Sequence, residues 1–287
     1  LSVSGVPFVK MHGLGNDYVY VDVAATGFDL ARAAAFARAV SPRRTSIGSD
    51  GAIFLGPSDR ADARMHMYNA DGSRGKMCGN GARCAARLVA ERLGKDRVVL
   101  ETDAGLRAAS LVRDSVGAVR SVVLDAGEPA LEPERIPCRA TRPMIDAPLP
   151  LPGCGGPLAP RVTCVSMGNP HAVIFTEDPA TAPVGVLGPE IGALPFFPEG
   201  VNVEFVRAEG PKRAVMRVYE RGSGETAACG TGACAVVVAG VLVGRFARDV
   251  AVTVAMPGGA ARVTWTSAGN VLLEGEACEA FRGEVDF

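Results

Sequence analysis

The chain contains a near-copy of itself. Residues 68–82 read YNADGSRGKMCGNGA and residues 219–233 read YERGSGETAACGTGA. The segments align without a gap at an offset of 151: Tyr68 meets Tyr219, Cys78 meets Cys229, and Gly79, Gly81 and Ala82 meet Gly230, Gly232 and Ala233. A second pair keeps nearly the same spacing. GLGNDYVYVD (13–22) and SMGNPHAVIF (166–175) share a Gly-Asn step, Gly15-Asn16 and Gly168-Asn169, at an offset of 153. In both, an apolar, β-branched run with the character of a strand follows. One Gly-rich match alone would be a coincidence of turn composition. Two, in the same order and at nearly the same offset, indicate a tandem duplication. The expectation is two similar domains related by a pseudo-twofold axis, and 287 residues suit two domains of roughly 140 each.

Each copy runs from a strand through a turn to Cys-Gly-x-Gly and then a helix. After Cys78, GARCAARLVAERLG carries Cys84, Leu88 and Leu93 near helical spacing, with Gly94 placed to stop the helix. After Cys229, GACAVVVAGVLVG is apolar on all sides, and a helix of that kind must be enclosed by other elements. Many short strand patterns between residues 98 and 274 are available to enclose it, while few other helices are evident: one over 30–39 and a short one over 186–191. The predicted fold class is therefore α+β, two pseudosymmetric domains that are each a mixed, β-barrel-like sheet wrapped around a central helix. The domains are expected over 1–128, joined by a C-terminal strand over 276–287, and over 129–275. The Pro/Gly-rich APLPLPGCGGPLAP (147–160) reads as a surface loop.

A thiol at a helix start has a chemical consequence. The helix N-terminus offers unpaired N–H groups and roughly half a positive charge, which lowers a thiol pKa from its usual ~8.5 toward neutrality. Neighbouring glycines let an anion approach those N–H groups. Two such starts, brought together by pseudosymmetry, would flank one small carboxylate with a thiol on each side. That suits inversion of a carbon centre: one thiolate removes the α-proton, the other thiol returns one, and the helix ends stabilise the developing enediolate.

Other readings fit less well. No pair of cysteines has C-x-x-C spacing and His12, His66 and His171 are scattered, so no metal site is expected. The glycines match neither a P-loop nor a Rossmann fingerprint. The four lysines, Lys10, Lys76, Lys95 and Lys212, lack a recognisable pyridoxal phosphate setting, and no cofactor is expected. A net charge of −1 gives no electrostatic argument for nucleic acid or an acidic membrane surface. No apolar run approaches the ~20 residues that cross a bilayer. LSVSGVPFVK lacks the basic and apolar regions of an export signal, so the cysteines are expected as reduced thiols in a cytoplasm. Cys84 and Cys234 read as helix packing, and Cys138, Cys154, Cys164 and Cys278 receive no role. A homodimer is left open.

FVKMHGLGNDYVYVD, IGSDG, YNADGS, MCGNGARC, VSMGNPHAVIF, GVNVEFV and YERGSGETAACGTGACA, in that order from residue 8 to residue 235, resemble the diaminopimelate epimerase family. The resemblance implies a cofactor-independent isomerase that interconverts LL- and meso-2,6-diaminopimelate for bacterial lysine and peptidoglycan synthesis. It also implies an active site in a cleft between two domains and a last strand that returns to the first. By motif match, Cys78 and Cys229 are the acid/base pair, with His171 and Glu220 beside them. Gly79-Asn80 and Gly230-Thr231 would hold the reacting carboxylate. Asn16, Asn69, Asn169, Asn202, Glu220 and Arg221 would hold the rest of the substrate, with Arg221 on the far carboxylate, where a guanidinium can bond bidentately. Ser49, Arg74 and Lys76 depart from the commonest family pattern, and the two basic residues read as solvated. A sibling racemase for proline, hydroxyproline or histidine, and a non-catalytic binding protein of the same fold, are the alternatives.

Overall fold

The Gly-Asn step turns the chain through a hairpin in each copy. Gly15 has φ +87° and Gly168 φ +92°, and an added Cβ would meet nothing within 4 Å at either. It is the left-handed backbone that requires glycine there, not crowding. The computed structural model describes residues 5–149 and 159–287. It divides into one unit of Leu1–Asp125 with Glu274–Phe287 and a second of Ala126–Leu273.

In unit one, β1 (Val6–Gly13) and β2 (Asn16–Asp22) form the hairpin, and β2 runs parallel to β3 (Gly51–Gly56). The chain continues antiparallel into β4 (Ala63–Asn69) and the short β5 (Arg74–Gly75). Between β2 and β3 lie α1 (Val23–Thr26) and α2 (Ala33–Val40). The central helix α3 (Gly79–Leu93) follows, then β6 (Arg97–Thr102) parallel to β4, β7 (Gly105–Arg113) and β8 (Val119–Asp125).

Alternation along the strands sorts their side chains between two cores. Val19, Val21, Ala52 and Phe54 pack with Phe28, Phe36 and Val40 around α2. Tyr18, Tyr20, Ile53 and Leu55 point the other way, onto Ala82, Cys84, Ala86 and Val89 of α3. The sheet is thus covered on both faces, which accounts for its near-continuous apolar runs. α3 ends at Gly94, whose left-handed φ of +66° lets its N–H reach Ala90 and Glu91.

Unit two repeats the plan. It begins with β9 (Ala147–Pro148), which pairs with β10 (Arg161–Ser166). The hairpin of β10 and β11 (Pro170–Phe175) leads to β12 (Asn202–Ala208), parallel to β11. β13 (Arg213–Glu220), β14 (Gly224–Thr226), the central helix α5 (Gly230–Leu242), β15 (Val252–Met256), β16 (Gly259–Trp265) and β17 (Val271–Gly275) follow. The registers of the two copies agree. Tyr18 lies opposite Gly51 and His171 opposite Asn202; Ala52 lies opposite Tyr68 and Val203 opposite Tyr219. Here α4 (Val184–Gly192) covers the face carrying Ala172, Ile174, Val203 and Phe205.

Val236, Val237 and Val238 of α5 are fully buried, each worth about 1.5 kcal/mol or more of apolar burial. Helix propensity has little part in that stability, because β-branched residues lose χ1 freedom in a helix. The final strand β18 (Cys278–Val285) runs antiparallel to β1. One expectation needs correction. The half-buried Ala147 and the exposed Pro148 lie in a short strand and Leu149 is fully buried, so the 147–160 segment starts as a paired strand at the surface and not as a loop; residues 150–158 lie outside the described part. No helix among the described residues is long and apolar enough to cross a membrane.

Candidate active site

Cys78 and Cys229 occupy the same position in their units. Each is the extended residue that caps a central helix, with φ/ψ of −125°/125° and −130°/110°. A residue there leaves the first-turn N–H groups unpaired within the helix, and the glycines fit close packing: a Cβ on Gly81 would stand 2.8 Å from Ile53 Cδ1.

In unit one, Cys78 is half-buried against the α3 core. The Asn80 side chain turns inward and is 2% exposed, so only its backbone is available to a ligand. Its Oδ1 accepts from Nη2 of the buried Arg83 at 2.7 Å, and its Nδ2 donates to Asn16 Oδ1 at 2.5 Å. Asn16 Nδ2 in turn donates to Asp50 Oδ2 at 3.2 Å. Asp50 and Asp17 share Arg43, and Lys10 also pairs with Asp17. Burial alone would raise the Asp17 carboxyl, but its bonds to Arg43 and Lys10 hold it below the usual range. Asn69 donates to Ser73 Oγ at 3.0 Å across the turn before β5. The two basic departures do not converge on the thiol. Arg74 is bound to Asp103 at 2.6 Å and lies over the Tyr68 ring, and Lys76 is exposed. Ser49 is buried with its hydroxyl 3.2 Å from that of Ser41.

In unit two, Cys229 is buried, and its Sγ accepts from the Gly232 N–H at 3.4 Å and lies 3.5 Å from Thr231 Oγ1. Its thiol does not follow the simple expectation of a lowered pKa. Burial pushes it well above the ordinary value, the Glu220 carboxylate and any charge on Glu204 add to this, and the bonds from Thr231 and Gly232 oppose it only in part. The helix end is outweighed by desolvation and two nearby carboxyls. Glu220 accepts from the Thr226 hydroxyl. Asn202 is buried, with Oδ1 accepting from the Arg221 N–H at 2.8 Å and Nδ2 donating to Pro170 O at 3.0 Å, so it holds the backbone of Arg221. The Arg221 guanidinium is exposed and donates to Glu199 O at 2.6 Å. His171 is fully buried, with Nδ1 2.6 Å from Glu204 Oε1 and Nε2 3.1 Å from Asn169 Oδ1.

The remaining thiols belong to the interior or its margin. Cys84 and Cys234 are buried on α3 and α5, and burial raises Cys84 to about 12. Cys164 is buried in the core under α4 with the half-buried Cys138 packed against that core, and Cys278 is half-buried. Cys154 lies outside the described residues. Among the described residues, no group of three His, Cys, Asp or Glu side chains comes together as a metal ligand set.

The family model for diaminopimelate epimerase matches residues 8–131 and 163–278. The chain is 44% identical over 283 residues to the diaminopimelate epimerase of Heliobacterium modesticaldum, covering 97% of this chain and 99% of that one. It is 46% identical over 281 residues to that of Moorella thermoacetica, covering 96% and 98%. The chain belongs to the diaminopimelate epimerase family. Its fold is wider than that family. A hydroxyproline epimerase from Agrobacterium vitis superposes with a TM-score of 0.68 at 17% identity, covering 100% of this chain and 94% of that one. A PhzF-family phenazine biosynthesis protein from Bacillus anthracis does so with 0.68 at 15%, covering 99% of both.

Three residues at these half-sites escaped the sequence reading: Asp50, Arg83 and Glu204. Arg83 and Glu204 carried a usable signal. At the 151 offset their duplicate positions are uncharged, Cys234 for Arg83 and Ile53 for Glu204.

Proposed function

We propose that this chain interconverts LL- and meso-2,6-diaminopimelate through its own two thiols. The observation that carries the reading is the pair of Cys-Gly-x-Gly helix starts, one in each duplicated unit, in a chain of this family. Cys78 and Cys229 serve as the acid/base pair, one beginning as thiolate and the other as thiol, exchanging roles with direction. The backbone N–H groups from Gly79-Asn80 and Gly230-Thr231 receive the α-carboxylate and stabilise the charge that develops on it. The exposed guanidinium of Arg221, with its backbone held by Asn202, takes the far carboxylate. Asn16, Asn69, Asn169 and Glu220 hold the remainder, and His171 and Glu220 set protonation near Cys229. Lysine and peptidoglycan precursors are made in the cytoplasm, where the thiols stay reduced, and that is where this reading puts the enzyme.

The test is to incubate fully reduced protein with LL-diaminopimelate in D₂O, adding no cofactor, and to follow α-proton loss and meso isomer by NMR. Proline and hydroxyproline run alongside. Exchange confined to diaminopimelate supports the reading; exchange only in proline or hydroxyproline, or none at all, overturns it.

A further inference from the structure

His171 has an oxygen at each ring nitrogen: Glu204 Oε1 at 2.6 Å from Nδ1 and Asn169 Oδ1 at 3.1 Å from Nε2. A neutral imidazole has one N–H to give. With the Asn169 oxygen on Nε2, one extra proton sits on the pair, on the ring or on the carboxyl. Glu204 decides where. It is fully buried, and its Oε2 has no hydrogen-bond partner among the described residues. A carboxylate anion with a bare oxygen in such surroundings is costly, whereas a carboxylic acid tolerates it. The position is also tight: a Cβ on Gly232 would stand 2.8 Å from Glu204 Oε1 and 3.3 Å from Cys229 Sγ.

We propose that Glu204 is a positioning residue that donates as a neutral acid to His171 Nδ1, so that His171 Nε2–H donates to Asn169 Oδ1 and turns the Asn169 amino group toward the substrate. The duplicated unit supports this twice. First, the fold does not need a polar pair here. In the same register unit one has Tyr18 for His171 and Ile53 for Glu204. Second, unit one orients its own Gly-Asn asparagine in the same sense by other means. Arg83 donates to Asn80, Asn80 to Asn16 Oδ1, and Asn16 to Asp50. A guanidinium can only donate and a carboxylate only accept, so that direction is set at both ends. Each unit thus fills the Oδ1 of its Gly-Asn asparagine from a buried side chain, Asn80 in unit one and His171 in unit two, which fixes which way the amide faces.

The neutral acid also matters to Cys229. The titratable groups facing Glu204 are His171, Glu220, Cys229 and, on β10, Cys164. Burial raises the Glu204 carboxyl. An ionised Glu204 would add a second negative charge, beside that of Glu220, against formation of the Cys229 thiolate.

The substrate role of Asn169 rests on the proposed function, but the proton assignment does not. The experiment is ¹⁵N NMR of the substrate-free, reduced protein labelled at histidine. The three histidines are assigned by His12→Gln and His66→Gln variants. The expected result is His171 as the neutral Nε2–H tautomer at pH 7. An imidazolium or an Nδ1–H tautomer overturns the proposal. Kinetics supply the second arm. Glu204→Leu lowers kcat/KM on the order of 10²-fold, the loss that goes with a misplaced substrate-holding group, and Glu204→Gln, which can still donate to Nδ1, rescues it without moving the pH profile. A Gln variant as poor as the Leu variant overturns the neutral-donor assignment. The expected tautomer in a protein that turns over no amino acid would sink the proposed function and leave the proton assignment standing.

Discussion

Replacing Glu204 by Gln removes one buried ionisable group and keeps the shape of the side chain. Burial raises the Glu204 carboxyl in the folded protein, while in the unfolded chain it titrates near 4.3. Above about pH 4.3 the folded protein holds a proton that the unfolded chain has released. The stability this group contributes is present in full below the unfolded value and is lost as pH rises toward the folded one. The slope is about 1.4 kcal/mol per pH unit for one proton. His171 is present in both proteins and cancels in the difference. Wild type minus Glu204→Gln should therefore fall as pH rises above about 4.3, at a rate that this slope caps, and level off once the folded carboxyl ionises. The thermal midpoint falls with it, by roughly 2–4 °C per kcal/mol lost. Thermal melts of both proteins by circular dichroism in matched buffers measure it. Parallel midpoint curves would refute the reasoning, because they would mean that the folded pair carries no extra proton.

Other perturbations separate chemistry from packing. Cys78→Ala and Cys229→Ala should each abolish epimerisation, seen in a racemisation assay, whereas Cys84→Ala should remain active and lose roughly 1 kcal/mol of stability from its buried thiol. Arg221→Ala should cripple turnover of diaminopimelate, read as a fall in kcat/KM; an unaffected rate would point to a different substrate. Asn202→Ala leaves the Arg221 N–H without its 2.8 Å acceptor, an expected cost of about 1–3 kcal/mol in urea unfolding.

The duplication was legible because a repeated turn demands the same few residues. Gly15 and Gly168 have to be glycine for a backbone reason, and Cys-Gly-x-Gly marks both helix starts. The all-apolar α5 announced its own enclosure. The ends of Ala147–Pro148 were lost to proline and leucine in a loop-like composition, since a two-residue strand has no period to detect. The raised thiol of Cys229 is not legible because helix position is local, whereas the burial that raises it most and the Glu220 carboxyl on β13 are set by the tertiary fold. Glu204 itself looked like a tolerated charge in VNVEFV. Only its register opposite Val173, facing the α5 side of the sheet, shows that it is buried. Side-chain direction in a strand depends on the partner strands, and the sequence alone does not name them.

The central claim is that one thiol removes the α-proton and the other delivers a different one. The most direct measurement is the isotopic content of both isomers at early conversion in D₂O, starting from LL-diaminopimelate. Two monoprotic bases predict meso product carrying deuterium at the inverted carbon while the remaining LL substrate keeps its proton. Deuterium appearing equally in recovered substrate, or product that retains the original proton, would contradict the account.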